Sequence, residues 1–153
     1  MTFEDLPKDW ATRPLTDPEI TADVLDLVIR DSDRRVGSIG VLICGPSGRL
    51  VQPVVIPVPP GGVPPGEHRR VLDVVCQGVL AGLGNGRRGG VLVAIARLSH
   101  PFVTGEDREW RDAAQRSCDE HGVDLLGTWL VTRTVILAVD RGEGRLQSGR
   151  VSA

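Results

Sequence analysis

Apolar residues along this chain change period several times, and each change marks an element. Ile20, Val24, Leu27 and Val28 recur at helical spacing behind Thr16-Asp17-Pro18-Glu19, where a capping hydroxyl, an early proline and a glutamate three residues after the threonine make helix-start chemistry. The spacing predicts a first helix that reaches Asp33. Residues 36–44 are then apolar and β-branched, Gly45-Pro46-Ser47-Gly48 is a turn cluster, and residues 50–58 are again rich in valine and isoleucine, the pattern of a hairpin. Pro53 and Pro57 remove ladder donors from the second arm, so that arm belongs at a sheet edge or on a bulge.

After a proline- and glycine-rich loop over residues 57–66, Val71, Leu72, Val75, Val79, Leu80 and Leu83 predict a second helix, closed by Gly84-Asn85-Gly86. Residues 90–96 form an unbroken apolar run, as in a central strand covered on both faces. Trp110, Ala113, Ala114, Ser117 and Cys118 space out a third helix over residues 104–121, which stops at Gly122. Residues 125–131 and 135–139 read as two closing strands around Thr132-Arg133-Thr134. The expected order is therefore α-β-β-α-β-α-β-β, an α/β three-layer sandwich around a mixed sheet. Residues 16–140 make one domain in this reading. Residues 1–15, with Phe3 and Trp10 among prolines, read as an extended arm, and residues 141–153, with no apolar period, as a flexible tail.

Composition narrows the function class. The chain has 153 residues, 41% of them hydrophobic and 25% charged, which is enough for one hydrophobic core. A net charge of -2 creates no single-sign field, so neither a nucleic-acid backbone nor an anionic membrane surface is an expected partner. The acidic, proline-interrupted start lacks the pattern of a signal peptide, and no apolar run approaches the roughly 20 residues of a spanning helix. Cys44, Cys76 and Cys118 have none of the close spacings of metal or redox motifs and read as buried free thiols, which suits a cytoplasmic protein.

Two segments carry more information. The helix leading into Asp31-Ser32-Asp33-Arg34-Arg35, the turn Gly45-Pro46-Ser47-Gly48-Arg49-Leu50, and the element order resemble the JAB/MPN (JAMM) metalloprotease superfamily, in its RadC-like branch. That family's signature is His-x-His, seven residues, then Ser-x-x-Asp, in which the two imidazoles and the aspartate hold zinc and leave one position open for water. Here the same frame reads Ala94-Ile95-Ala96, seven residues over 97–103, then Thr104-Gly105-Glu106-Asp107. The family's glutamate base falls on the second hairpin arm, where the resemblance puts Gln52, an amide that takes no proton from a metal-bound water near neutral pH. The resemblance thus implies a JAB/MPN-like, cytidine-deaminase-like fold with degenerate metal positions at Gln52, Ala94, Ala96, Thr104 and Asp107. It further implies no catalytic residues, no metal and no cofactor. Metal-free members of the superfamily act as scaffolds, so the implied function is protein binding or self-association, with a homodimer as one form.

Other readings stand beside this one. Thr104-x-x-Asp107 is also an ordinary capping box. Ser99, His100 and Asp107, with Glu106 beside them, offer the parts of a relocated hydrolase site, and a bare α/β domain with a small-molecule cleft is a third possibility. His68 and His121 fall at the start of one helix and the end of another, and His121, in a last turn, suits the helix dipole and needs no other role. The glycine-rich stretch 84–90 precedes a strand, where a turn is expected rather than a phosphate loop. Arg34-Arg35, Arg69-Arg70 and Arg87-Arg88 read as solvated surface. Trp10, Phe102 and His100 are the candidate anchors for a partner, since they stand outside the periodic elements.

Overall fold

The structure, a computed structural model, describes residues 13–17, 20–59, 61–64, 66–83 and 89–139, with residues 79–83 described by backbone alone. Residues 1–12 of the arm, with Phe3 and Trp10, the turn at Gly84-Asn85-Gly86, and the tail over residues 141–153 lie outside this set. The fold is mixed α/β: α1 (Thr21–Val28), α2 (Asp31–Val36), β1 (Ser38–Cys44), β2 (Leu50–Pro57), α3 (His68–Leu83), β3 (Gly90–Ala96), α4 (Gly105–His121), β4 (Asp124–Val131) and β5 (Ile136–Ala138). No described helix is long and apolar enough to cross a membrane.

The single helix expected before the hairpin is two helices. Ile29 leaves the helical region at φ -87°, ψ 108°, and buries its side chain to 1% exposure. The Asp33 carboxylate then accepts from the Arg30 N–H at 3.0 Å and starts α2. Arg34, expected on the surface, is instead 6% exposed, and its guanidinium donates to the Asp26 carboxylate and the Ile29 carbonyl. The break lets α2 turn away while Ile29 continues the apolar face of α1.

The five strands form one open sheet in the order β2-β1-β3-β4-β5; β3 and β4 run parallel and the other neighbours antiparallel. β2 is an edge strand, where Pro53 and Pro57 need no donor on the open side. β3 is the middle strand, and all seven of its residues are buried. Its side chains alternate between two cores. Val91, Val93 and Ile95 pack with Leu72 and Cys76 of α3 and with Trp110, Ala114 and Cys118 of α4. Leu92, Ala94 and Ala96 pack with Ile20, Val24, Leu25 and Ile29 around α1. Each fully buried valine, leucine or isoleucine among these contributes about 1.5–3 kcal/mol, and β3 supplies such residues to both faces.

Helices α3 and α4 run side by side in the same direction: His68 meets Trp110, Asp73 meets Ser117, and Cys76 meets Cys118, so the partners advance together along both helices. Thr104 caps α4, and Gly122, at φ +71° in the left-handed region, ends it.

Candidate functional site

The chemistry collects where β3 ends and α4 begins. Arg97, the first residue after β3, sends its guanidinium into the loop over residues 97–104. There it donates to the carbonyls of Ser99, His100 and Phe102 and, in a two-pronged pair, to Asp107 Oδ1 at 2.6 Å and Oδ2 at 2.9 Å. Asp107 is 1% exposed, and its Oδ2 also accepts from the Thr104 N–H at 2.8 Å while Thr104 Oγ1 accepts from the Asp107 N–H at 3.2 Å. One arginine therefore satisfies the loop carbonyls and neutralises the carboxylate at the helix start. Ser99 and His100 enter this network through their carbonyls, not their side chains. Because Arg97 takes both oxygens of Asp107, that carboxylate is not free to orient an imidazole in a Ser99-His100-Asp107 site.

Above the pair lies a cavity of about 280 Å³ lined by Ser38, Ile95, Arg97, His100, Glu106 and Trp110, among others. It opens beyond the carboxyl end of β3 on the side of its antiparallel neighbour β1, where Ser38 and Ile39 at the start of β1 and Val58 after β2 complete the wall. His100 is held at φ +58°, the left-handed region, so the loop bends sharply at the cavity wall. Two large apolar side chains project at this end: Phe102, two residues after His100, is 71% exposed, and Val36, next to the lining residue Gly37, is 63% exposed.

The remaining expected ligand positions are scattered. Ala94 and Ala96 belong to the core around α1, whereas Asp107 heads the helix that covers the opposite face. Ala94 pairs with Gly40, and a Cβ at Gly40 would lie 2.6 Å from Ile29 Cδ1 and 3.7 Å from Ala94 Cβ. Small residues at 40 and 94 thus make the flat patch on which Ile29 sits, and Ala94 has a packing reason of its own. Gln52 is exposed and pairs with Ile43, opposite Val91 at the far end of β3. Gln52, Ala94, Ala96 and Asp107 therefore do not converge, and the one carboxylate among them is engaged by Arg97. This donor set does not fit zinc. Only Thr104 and Asp107 stand together, as a capping box.

Among the described residues, one group has three donor atoms close enough to share a cation: His68, Glu106 and Glu109, within 4.8 Å of one another. His68 Nε2 is 3.3 Å from Glu106 Oε2 and 3.8 Å from Glu109 Oε1. His68 is 4% exposed, with its ring edge-on to Trp110 at 4.6 Å between centroids, so its orientation is set by packing. Its place at a helix start, all that the sequence reading gives His68, does not reveal this group. The available signal was that His68, Leu72 and Cys76 follow one another at intervals of four, a single buried stripe.

All three cysteines are buried free thiols. Burial pushes the Cys44 thiol up to about 11. Cys76 and Cys118 touch, with Sγ atoms 4.0 Å apart. The Cys118 thiol holds Cys76 below the usual thiol range, helped by Ser117 and His121, and the same contact with burial pushes Cys118 up. His121, in the last turn of α4, bonds through Nδ1 to the Ser117 carbonyl at 2.9 Å.

Trp110 is 2% exposed, as its helical spacing implies, but Trp129 is only half-buried, packed against the core around α1 rather than inside it. No family model matches the chain, and no curated protein or solved structure matches it.

Proposed function

We propose that this chain is a non-catalytic binding module that receives an apolar side chain of a protein partner in the cavity beside Phe102. The observation that carries this reading is the exposure of Phe102, 71%, at the end of a loop that Arg97 holds rigidly from within. A large aromatic side chain left in water on a rigid loop, with Val36 near the same cavity, fits the anchor of an interface. A cavity of about 280 Å³ also suits one inserted side chain better than a drug-sized ligand.

Descent from a JAB/MPN-like, RadC-like frame is part of this proposal. The sequence of helical segment, hairpin, helix, strand, helix and hairpin supports it, as does the capping box at the head of α4. The two alanines add nothing to it, because they serve the packing of α1. The second reading, a relocated hydrolase, has less support: among the described residues Ser99 and His100 meet the Asp107 network only through their carbonyls, and Arg97 occupies both Asp107 oxygens.

The test is capture of partners on immobilised wild-type protein, Phe102→Asp and Val36→Asp, with bound proteins identified and then remade in pure form. The expected result is a purified partner that binds wild type and loses at least tenfold affinity to either variant, while both variants keep the wild-type melting temperature. A partner indifferent to both substitutions, or sedimentation as a monomer with no purified protein binding at all, would overturn the reading.

A further inference from the structure

We infer that Cys76 and Cys118 form a reversible dithiol-disulfide site that locks α3 to α4 under oxidation. The two sulfurs are 4.0 Å apart on facing sides of the helix pair, and a disulfide needs a separation of about 2.05 Å, a closure within reach of small side-chain rotations. Pairing is selective, because Cys44 packs in the core on the other face of the sheet, under α1. Helix register is already held by His68 against Trp110 and by Ser117 Oγ donating to Asp73 Oδ1 at 2.6 Å, so the bond forms without one helix sliding past the other.

The surroundings suit the chemistry. Both thiols are almost fully buried, at 2% and 1% exposure, yet a polar group leads from them to the surface: Ser117, then Asp73, then His121, whose imidazole lies 3.8 Å from the Asp73 carboxylate. The side chains of Asp73 and His121 are 31% and 14% exposed. Water and an oxidant of similar size, hydrogen peroxide, can follow this route during local opening.

The steps balance. The Cys76 thiolate attacks one peroxide oxygen, the O–O bond breaks, and hydroxide leaves and takes up a proton as water, giving a sulfenic acid at Cys76. Cys118 then loses its proton and attacks the Cys76 sulfur; an S–S bond forms, the S–O bond breaks, and a second water leaves. Two thiols are oxidised to one disulfide while one peroxide is reduced to two waters. The bridge would tie α4, and with it Asp107 at the start of that helix, to α3.

The experiment treats the full chain, first reduced and freed of reductant, with a few equivalents of hydrogen peroxide, followed by intact mass and peptide mapping without reduction. The expected product is a monomer lighter by two hydrogens, with peptides joined through Cys76 and Cys118, a raised melting temperature, and return to the starting mass with dithiothreitol. Cys44→Ser should react in the same way. Cys76→Ser and Cys118→Ser should instead yield singly oxidised thiols, and Cys118→Ala serves where serine disturbs folding. Bridges through Cys44, intermolecular dimers as the main product, sulfinic acid without a bridge, or unreacted thiols in wild type would each overturn the inference.

Discussion

Arg97 and Asp107, ten residues apart, form a two-pronged ion pair that closes the end of β3 against the start of α4. The carboxylate is 1% exposed and the arginine side chain 22%. Desolvating this pair is offset by complete hydrogen bonding: each Asp107 oxygen has a donor, and the guanidinium reaches three carbonyls besides. The loop with the exposed Phe102 owes its shape to this pair.

Removing the arginine strands a buried charge. Arg97→Met should therefore destabilise the protein by about 3–5 kcal/mol in urea unfolding. The double variant Arg97→Met/Asp107→Asn should lose less than the sum of the two single variants, with a coupling energy of about 0.5–3 kcal/mol. Additive losses would mean that the two side chains do not depend on each other.

Thr104 can be tested at the same helix start. Thr104→Ala frees the Asp107 N–H of its side-chain acceptor and should cost about 0.5–2 kcal/mol, whereas Thr104→Ser should stay close to wild type. An alanine variant that unfolds at the wild-type urea midpoint would show that the cap contributes nothing.

Restoring histidine at the two alanine positions separates a lost metal site from a packing requirement. Ala94 is 0% exposed beneath Ile29, so Ala94→His/Ala96→His should lose well over about 3 kcal/mol through overpacking and unpaired imidazoles, and added zinc should not rescue it. In the wild type, EDTA should leave the melting temperature unchanged. A zinc-dependent rise in the melting temperature of the double variant would return these positions to a common site with Asp107.

Trp110 joins both α3 and the cavity wall. Trp110→Ala should cost about 3–5 kcal/mol and release the His68 ring that packs edge-on against it. In a Trp10→Phe background, acrylamide should quench the half-buried Trp129 and largely spare Trp110. Equal quenching of the two would contradict the core placement of Trp110.

Periodicity and local chemistry alone determine much of this protein. The unbroken apolar run at 90–96 dictates a strand buried on both faces, Pro53 and Pro57 confine β2 to an edge, and Thr104 with Asp107 starts α4, because each depends on a residue's own backbone or on neighbours a few positions away. Strand alternation likewise puts Ala94 and Ala96 on one face of β3, but it does not say which helix covers that face. Tertiary packing decided that. It set α1 over the alanines and α4 over Ile95, broke the first helix at Ile29 to fill the patch above Gly40, and buried Arg34. It also brought His68 to Glu106 across 38 residues and Cys76 to Cys118 across 42. Such pairings have no local signature, since the contact arises only when α3 and α4 lie side by side on one sheet face, and the energy that places them there comes from the whole core.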